Sequence, residues 1–309
     1  MIPTLNAGDG FEALLEGISR QRGVSVETLA VDSGSTDGTV ELARSYGAVV
    51  HEIPRSEFDH GATRNLSVSH CGGEYVALTV QDAVPADDDW LAAMVENLRA
   101  DENVAGVYGR QMPRPEASAL ARSFVNGLAT ASPDRREQFI EDAEAYRAMS
   151  AAERRRVAAF DDVSSCIRRS VWEEIPLERA SFGEDLRWGK RVVEAGYKLV
   201  YEPRSVVRHS HERGGIYDLR RHYVDAALLR ELFGAGPVGN LGGLLLGMPP
   251  ATLHRYRLLR EESGGEGALF LAAVAARYAA LSRLGAYLGG GEGITRRSPR
   301  LHHFLSKGV

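Results

Sequence analysis

The stretch that most constrains this chain is Tyr75–Pro85, YVALTVQDAVP, an apolar run of strand composition that breaks abruptly into Gln81, Asp82 and a proline. In an open α/β sheet, ligands bind beyond the carboxyl ends of the strands, and a buried strand ending in a carboxylate presents it there. Asp82 is therefore a candidate metal ligand. The alternative is an aspartate that merely opens the turn before Pro85.

With 309 residues the chain has room for one large domain and an appendage, or for two modest domains, and ample material for a core. The net charge of −5 argues against non-specific nucleic-acid binding, so any basic surface must be local. Cys71 and Cys166 stand far apart, in neither a CxxC nor a disulfide-framework pattern. They read as core thiols in a reducing cytoplasm. The longest apolar runs, around Leu241–Met248 and Ala268–Ala276, fall short of the roughly 20 residues of a membrane span. No crossing of a bilayer is expected.

In order, Ile2-Pro-Thr reads as the tail of a strand running into a Gly/Asn loop and a helix over about 10–20. Almost nothing precedes Ile2 where a strand wants five or six residues, so part of the first strand is expected upstream of Met1. A second strand at Thr28–Val31 ends in Asp32-Ser-Gly-Ser-Thr-Asp-Gly-Thr39 and leads into a helix. Strand, acidic turn, helix is nucleotide-site geometry, yet G-x-G-x-x-G and G-K-[ST] are both missing, which disfavours a dinucleotide fold or P-loop. Asp32 can accept from a base N–H or a ribose hydroxyl with Ser35 as a donor; alternatively the turn is structural, with Asp37 helping to cap the next helix.

Ala48–Ile53 gives a third strand, and Phe58–Asn65 opens a helix with Arg64 one turn in, able to reach a diphosphate or to face solvent. Further on come a helix over about 88–98, a strand at Val104–Tyr108, and a charged stretch, Arg135–Arg156, of mostly helix-forming composition. Val163–Arg168 reads as a strand, and Ser181–Trp188 opens a helix with Glu184 and Asp185 at its start, where acids also simply complement the macrodipole. Short strands at Lys198–Tyr201 and Ser205–Arg208 lead to His209-Ser-His211, whose i, i+2 spacing on an extended segment points both imidazoles to one face. Beyond Gly215 the pattern is amphipathic helix, over about 217–233, 252–260 and 267–288.

Together these pieces resemble the family 2 glycosyltransferases, and more narrowly their bacterial rhamnosyltransferase-like members. The stretches that carry the resemblance are IPTLNAG at 2–8, DSGSTDGT at 32–39, FDHGATRN at 58–65, TVQDAVP at 79–85, RRSVWEEIP at 168–176, FGEDLRWGKRVVEAGYKLVYEP at 182–203 and VVRHSHE at 206–212. The resemblance implies the GT-A fold, a Rossmann-like mixed sheet flanked by helices, as a catalytic domain over 1–215 with a C-terminal helical extension over 216–309. It implies that Pro3, Thr4, Asn6, Asp32, Ser35, Asp37 and Gln81 line the nucleotide-sugar pocket and that Arg64 approaches the diphosphate. Asp82 matches the second aspartate of the family's D-x-D motif, the first position being Val80 here. His209, and less closely His211, match the histidine that completes the metal site, for Mn²⁺ or Mg²⁺. Asp185 matches the catalytic base of an inverting reaction, with Glu184 its neighbour.

The implied partners are a dTDP- or UDP-linked sugar such as dTDP-rhamnose and a glycan or lipid-linked acceptor. A nucleotidyltransferase is disfavoured because IPTLNAG carries no basic residue, and a non-catalytic nucleotide-sugar-binding protein because Asp82 and Asp185 are both present. Arg255, Arg257, Arg260, Arg277, Arg283, Arg296, Arg297 and Arg300 lie among apolar residues in the C-terminal helices. They imply packing on the catalytic domain, a homodimer interface, or peripheral attachment to the inner face of an anionic membrane.

Overall fold

A computed structural model of the chain describes residues 1–212, 214–291 and 298–307; Arg296 and Arg297 lie outside them. In chain order the elements are β1 (Ile2–Thr4), α1 (Gly10–Ser19), β2 (Leu29–Asp32), α2 (Thr39–Ser45), β3 (Val49–Glu52), α3 (His60–His70), β4 (Tyr75–Thr79), β5 (Val84–Pro85), α4 (Trp90–Ala100) and β6 (Val104–Met112). They continue with α5 (Ala119–Asn126), β7 (Arg136–Gln138), α6 (Ala143–Ala148), α7 (Ala151–Val157), β8 (Ser164–Arg168), α8 (Arg169–Glu174), α9 (Glu184–Glu194) and β9 (Lys198–Arg208). The last helices are α10 (Ile216–Phe233), α11 (Leu241–Leu246), α12 (Met248–Glu262), α13 (Ala268–Gly290) and α14 (Pro299–Ser306).

The chain forms two compact units, Met1–Met112 with Leu128–His209, and Pro113–Gly127 with Ser210–Val309. The first holds the sheets. β1, β2 and β3 pair in parallel, and a mixed sheet follows in the order β4-β8-β6-β9-β5, with β7 on β9. The main chain of Met1 links the two, its amino group donating to Ala77 O at 2.7 Å and its carbonyl accepting from Thr79 N. β8 is antiparallel to both β4 and β6, and β6 is parallel to β9, so β4, β6 and β9 run the same way. Their carboxyl ends share one edge of the sheet.

Apolar residues pack the helices onto the sheets. Trp90, Met94 and Leu98 of α4 pack on Val104, Val107, Cys166, Val200 and Val207, while Phe11, Leu14 and Leu15 of α1 pack on Ile2, Ala30 and Ala43. Cys71 and Cys166 are buried free thiols, and burial pushes the Cys166 thiol up to about 12.

Three expectations need correction. Lys198–Arg208 is one strand, because a bulge at Pro203–Ser205 lets the pairing pass from Gly109↔Glu202 to Arg110↔Val206. Glu202, buried, anchors that bulge by accepting from Asn97 Nδ2 and from Arg204 Nε and Nη2, at 2.9, 3.0 and 3.0 Å. Arg135–Arg156 contributes an edge strand, β7, before its two short helices, since pairing with β9 overrides helical composition there. Finally, α13 runs 23 residues and is long and apolar enough to cross a bilayer by length and composition, its apolar run continuing past Arg277 and Arg283.

In the second unit α13 packs along α10 where Gly285 and Gly289 admit the backbone of Leu219 and Tyr223. The segment 113–127 belongs here because Leu120 of α5 packs against Leu259 and Leu271, and Arg122 pairs with Glu262 at 3.1 Å.

In the first unit α3 is fastened to residues 177–180, just ahead of α9. Asp59 caps α3 by accepting from Ala62 N and also accepts from Ala180 N, at 2.9 and 3.0 Å. Asn65 accepts from Trp172 Nε1 and Leu177 N and donates to Leu177 O. A Cβ on Gly61 would sit 1.7 Å from Glu178 O. Gly61→Ala is therefore expected to cost about 1–3 kcal/mol by overpacking, read as a fall of several degrees in the thermal midpoint; an unchanged midpoint would show that α3 and this segment are not in close contact.

Candidate active site

Two turns at the carboxyl ends of β1 and β2 are stitched into one unit. Asn6 N donates to Ser35 Oγ at 2.8 Å, Thr36 N to Asn6 Oδ1 at 2.9 Å, Ala7 N to Thr39 Oγ1 at 2.9 Å and Gly8 N to Asp37 Oδ2 at 3.3 Å. Asp37 also accepts from Thr39 Oγ1, and the bonds from Thr39 lead in holding its carboxyl below the usual range. Gln81, beyond β4, grips the same turn through both ends of its amide, accepting from Leu5 N and donating to Leu5 O. Pro3, Thr4, Asn6, Asp32, Ser35, Asp37 and Gln81 are thus brought to one place.

At the heart of these turns is Asp32, 1% exposed. Its Oδ1 accepts from Gly34 N and Ser35 N, and its Oδ2 from Ser35 Oγ and Thr4 Oγ1, all within 2.9 Å. Burial pushes this carboxyl up, but the bonds from Ser35, Thr4 and Gly34 outweigh it and leave the group below its ordinary range. A carboxylate has about four acceptor sites, and here the protein's own turn fills them. Asp32, expected at a base or ribose, is engaged by its own turn in this structure, with Thr4, also buried, among its donors.

Strand register explains the next pair. β5 is antiparallel to β9 with Val84 opposite Arg208, so the turn before Val84 lies across from the residues after Arg208. Asp82 Oδ1 accordingly sits 3.5 Å from His209 Nε2, both side chains half-buried. His209 N extends the ladder to Met112 O at the end of β6. His211 follows two residues on, past the end of the first unit.

The third group is a cluster of acids. Arg64, 3% exposed, sets its Nε 3.0 Å from Glu184 Oε1 and 3.2 Å from Asp162 Oδ2. Asp162 Oδ1 accepts from Ser165 Oγ at 2.8 Å. Asp185, half-buried on the first turn of α9, accepts from Leu186 N at 2.7 Å. Burial, and then the charges of Glu184, Asp162 and Asp161, push its carboxyl well above the ordinary range. Burial likewise pushes Asp162 up to about 6, against the pull of Arg64. Gln111 joins the cluster to the Asp82 pair, donating to Asp161 Oδ2 at 2.8 Å and meeting His209 Nδ1 at 3.1 Å.

Residues 1–157 match the family model described as Glycosyl transferase family 2. The O-antigen chain rhamnosyltransferase RfbN of Salmonella typhimurium is 31% identical over 230 residues, spanning 72% of this chain and 69% of that protein. This chain belongs to the family 2 glycosyltransferases. Its relative WbaN of Salmonella anatum, also an O-antigen chain rhamnosyltransferase, is 29% identical over 253 residues, 77% of this chain and 76% of that one. Among solved structures, the mannosyltransferase PcManGT from Pyrobaculum calidifontis, in complex with GDP-Man and Mn²⁺, aligns with a TM-score of 0.57 at 20% identity over 93% of this chain and 83% of its own. TarS of S. aureus, in complex with UDP-GlcNAc, aligns with a TM-score of 0.52 at 13% identity over 92% and 88%. These likenesses confirm the GT-A fold.

In this glycosyltransferase two of the expected site residues are paired with one another. Arg64 was expected at the diphosphate; its guanidinium is instead sunk in the interior between Asp162 and Glu184. Glu184, 6% exposed, is held by Arg64 and so ties α9 to α3. Motif reading passed over Gln111, Asp161 and Asp162. The only signal for the two aspartates was a paired acid just before a strand, and Gln111 gave none.

Removing the guanidinium would strand two buried carboxylates. Arg64→Met is expected to destabilise the enzyme by about 3–5 kcal/mol in denaturant unfolding. A variant of unchanged stability that binds donor weakly would restore Arg64 to the diphosphate.

Proposed function

We propose that this enzyme is an inverting, metal-dependent rhamnosyltransferase, moving a deoxysugar from a dTDP- or UDP-linked donor to a hydroxyl of a glycan or lipid-linked acceptor. The observation that carries the reading is Asp185, a half-buried carboxyl whose affinity for protons is raised by burial and by the charges of Glu184, Asp162 and Asp161; Asp161 is in turn linked through Gln111 and His209 to Asp82. The rhamnosyltransferase names of its relatives support the sugar, and the GDP-Man and Mn²⁺ bound by PcManGT support donor and cation.

Asp82 and His209 offer a carboxylate oxygen and an imidazole nitrogen side by side, a donor set that fits Mn²⁺ or Mg²⁺ and, through the imidazole, favours Mn²⁺. His211 is retained as an additional ligand on its i, i+2 spacing. A cation held there supplies Lewis-acid stabilisation to the departing diphosphate. The turns at 5–9 and 32–39 hold the nucleotide with exposed Asn6 and Asp37 and half-buried Ser35, on a frame already rigid before the donor arrives.

Asp185 takes the proton of the acceptor hydroxyl as that oxygen attacks the anomeric carbon. It must be ionised to do so, and its raised proton affinity means that activity appears only as pH climbs through that raised value. The acid limb of kcat/KM should therefore lie above the ordinary carboxylate range of about 4. Asp185→Asn should lose about 10²- to 10⁴-fold in turnover and keep donor binding; turnover within a few-fold of wild type would remove Asp185 from the role. Asp82→Ala should abolish the metal dependence of nucleotide binding, measured on a panel of nucleotide-sugars with Mn²⁺.

The second unit supports peripheral attachment to an anionic lipid surface. Leu245, Leu246, Leu269 and Phe270 of α11 and α13 are 59%, 81%, 89% and 62% exposed. Residues 267–309 carry six arginines and lysines against one acid, Glu292. Anionic headgroups would meet that excess of positive charge with negative charge, which a second copy of the same surface would not. The protein should co-sediment with phosphatidylglycerol vesicles, less so at high salt and less so as Leu246→Glu/Phe270→Glu. Equal sedimentation of the double variant, or concentration-dependent dimerisation lost in it, would overturn the lipid reading.

A further inference from the structure

Gln111, one residue before the end of β6, is 3% exposed, and its amide spans two residues of the site. Nε2 donates to Asp161 Oδ2 at 2.8 Å, while Oε1 lies 3.1 Å from His209 Nδ1. Register makes this contact: Gln111 pairs with Val207 on parallel β9, and the side chain two residues on, His209, shares the face of Val207.

The bond from Nε2 to Asp161 Oδ2 keeps the amide nitrogen on the side of that carboxyl. That turns the amide oxygen, itself only an acceptor, toward the imidazole. The ring nitrogen it meets must carry a hydrogen, so Nδ1–H donates to Gln111. In the neutral ring the lone pair is then on Nε2, the nitrogen 3.5 Å from Asp82 Oδ1. Asp82, also an acceptor, favours a proton on Nε2. Gln111 opposes it.

We propose that Gln111 is a positioning residue for the cation, holding His209 in the Nδ1–H tautomer so that Nε2 and the Asp82 carboxylate converge as two donors to one divalent ion. This rests on the reading of Asp82 and His209 as a metal pair. The chemistry is that of the outer partners of metal-binding histidines generally, which fix tautomer and ring orientation. Because the same amide donates to Asp161, the imidazole is fastened to the acid cluster that surrounds Asp185, and a shift at one would be felt at the other.

The test combines long-range ¹H–¹⁵N spectra of the metal-free full chain, the His209 signals identified by their loss in His209→Ala, with Mn²⁺ titration by electron paramagnetic resonance in saturating dTDP or UDP. Wild type should show the Nδ1–H tautomer. Gln111→Met, similar in size and unable to make either bond, should move the proton toward Nε2 and weaken Mn²⁺ binding about 10- to 100-fold. A merely structural role would lower the unfolding midpoint without moving the tautomer. Gln111→Asn, one methylene shorter and unable to reach both partners, gives the same readout should Gln111→Met not fold. An Nε2–H tautomer in wild type, or Mn²⁺ affinity within two-fold of wild type in the variants, overturns this inference alone. Wild type that binds no Mn²⁺ at all overturns the metal reading and this inference with it.

Discussion

A single buried guanidinium holds the catalytic half of this protein together. Arg64 bridges α3, the segment before β8 and the start of α9, and each of the three would otherwise bury a carboxylate or an arginine alone. Burying such charges is tolerable only because they face one another. The neutralisation is incomplete: one cation serves Asp162 and Glu184, with Asp161 and Asp185 close by. Burial first, and then the surplus negative charge of Glu184, Asp162 and Asp161, raises the proton affinity of Asp185. The carboxylates that Arg64 gathers at the start of α9 are thus also the charges that act on Asp185.

The rest of the site is built on register. Parallel pairing of β6 with β9 and antiparallel pairing of β5 with β9 bring Gln111, His209 and Asp82 together from three separate parts of the chain. The bulge at Pro203–Ser205 belongs to this arrangement, because it shifts the pairing by which Val206–Arg208 run beside Arg110–Met112. Opposite them the turns after β1 and β2 form a lattice in which backbone N–H groups are matched to side-chain acceptors, and Asp32 is its centre. Such a lattice leaves little to be ordered when a ligand arrives.

Much of this could be read from the residue order. Strand-to-acid transitions at Asp32 and Asp82 and the helix opening at Glu184–Asp185 are local patterns, and they fell where the structure has them. Motif FDHGATRN was also legible as a unit, but its purpose was not. Gly61, Arg64 and Asn65 fasten α3 to residues 177–184, which is a matter of packing against a segment more than a hundred positions away. Strand β7 and the continuity of β9 escaped for the same reason, since both depend on a partner strand rather than on composition.

The sequence by itself determined which stretches become strands, where they stop, and which acids and imidazoles stand at their ends, because side-chain periodicity and turn chemistry act over a few residues. Tertiary structure alone decided which of those groups are buried in pairs and which keep exposed surface. Asp32, Arg64 and Glu184 are spent on the fold, while Asp82, Asp185 and His209 keep part of their surface open. Burial and charge pairing divide them, and both are fixed by neighbours that the chain brings in from far along its length.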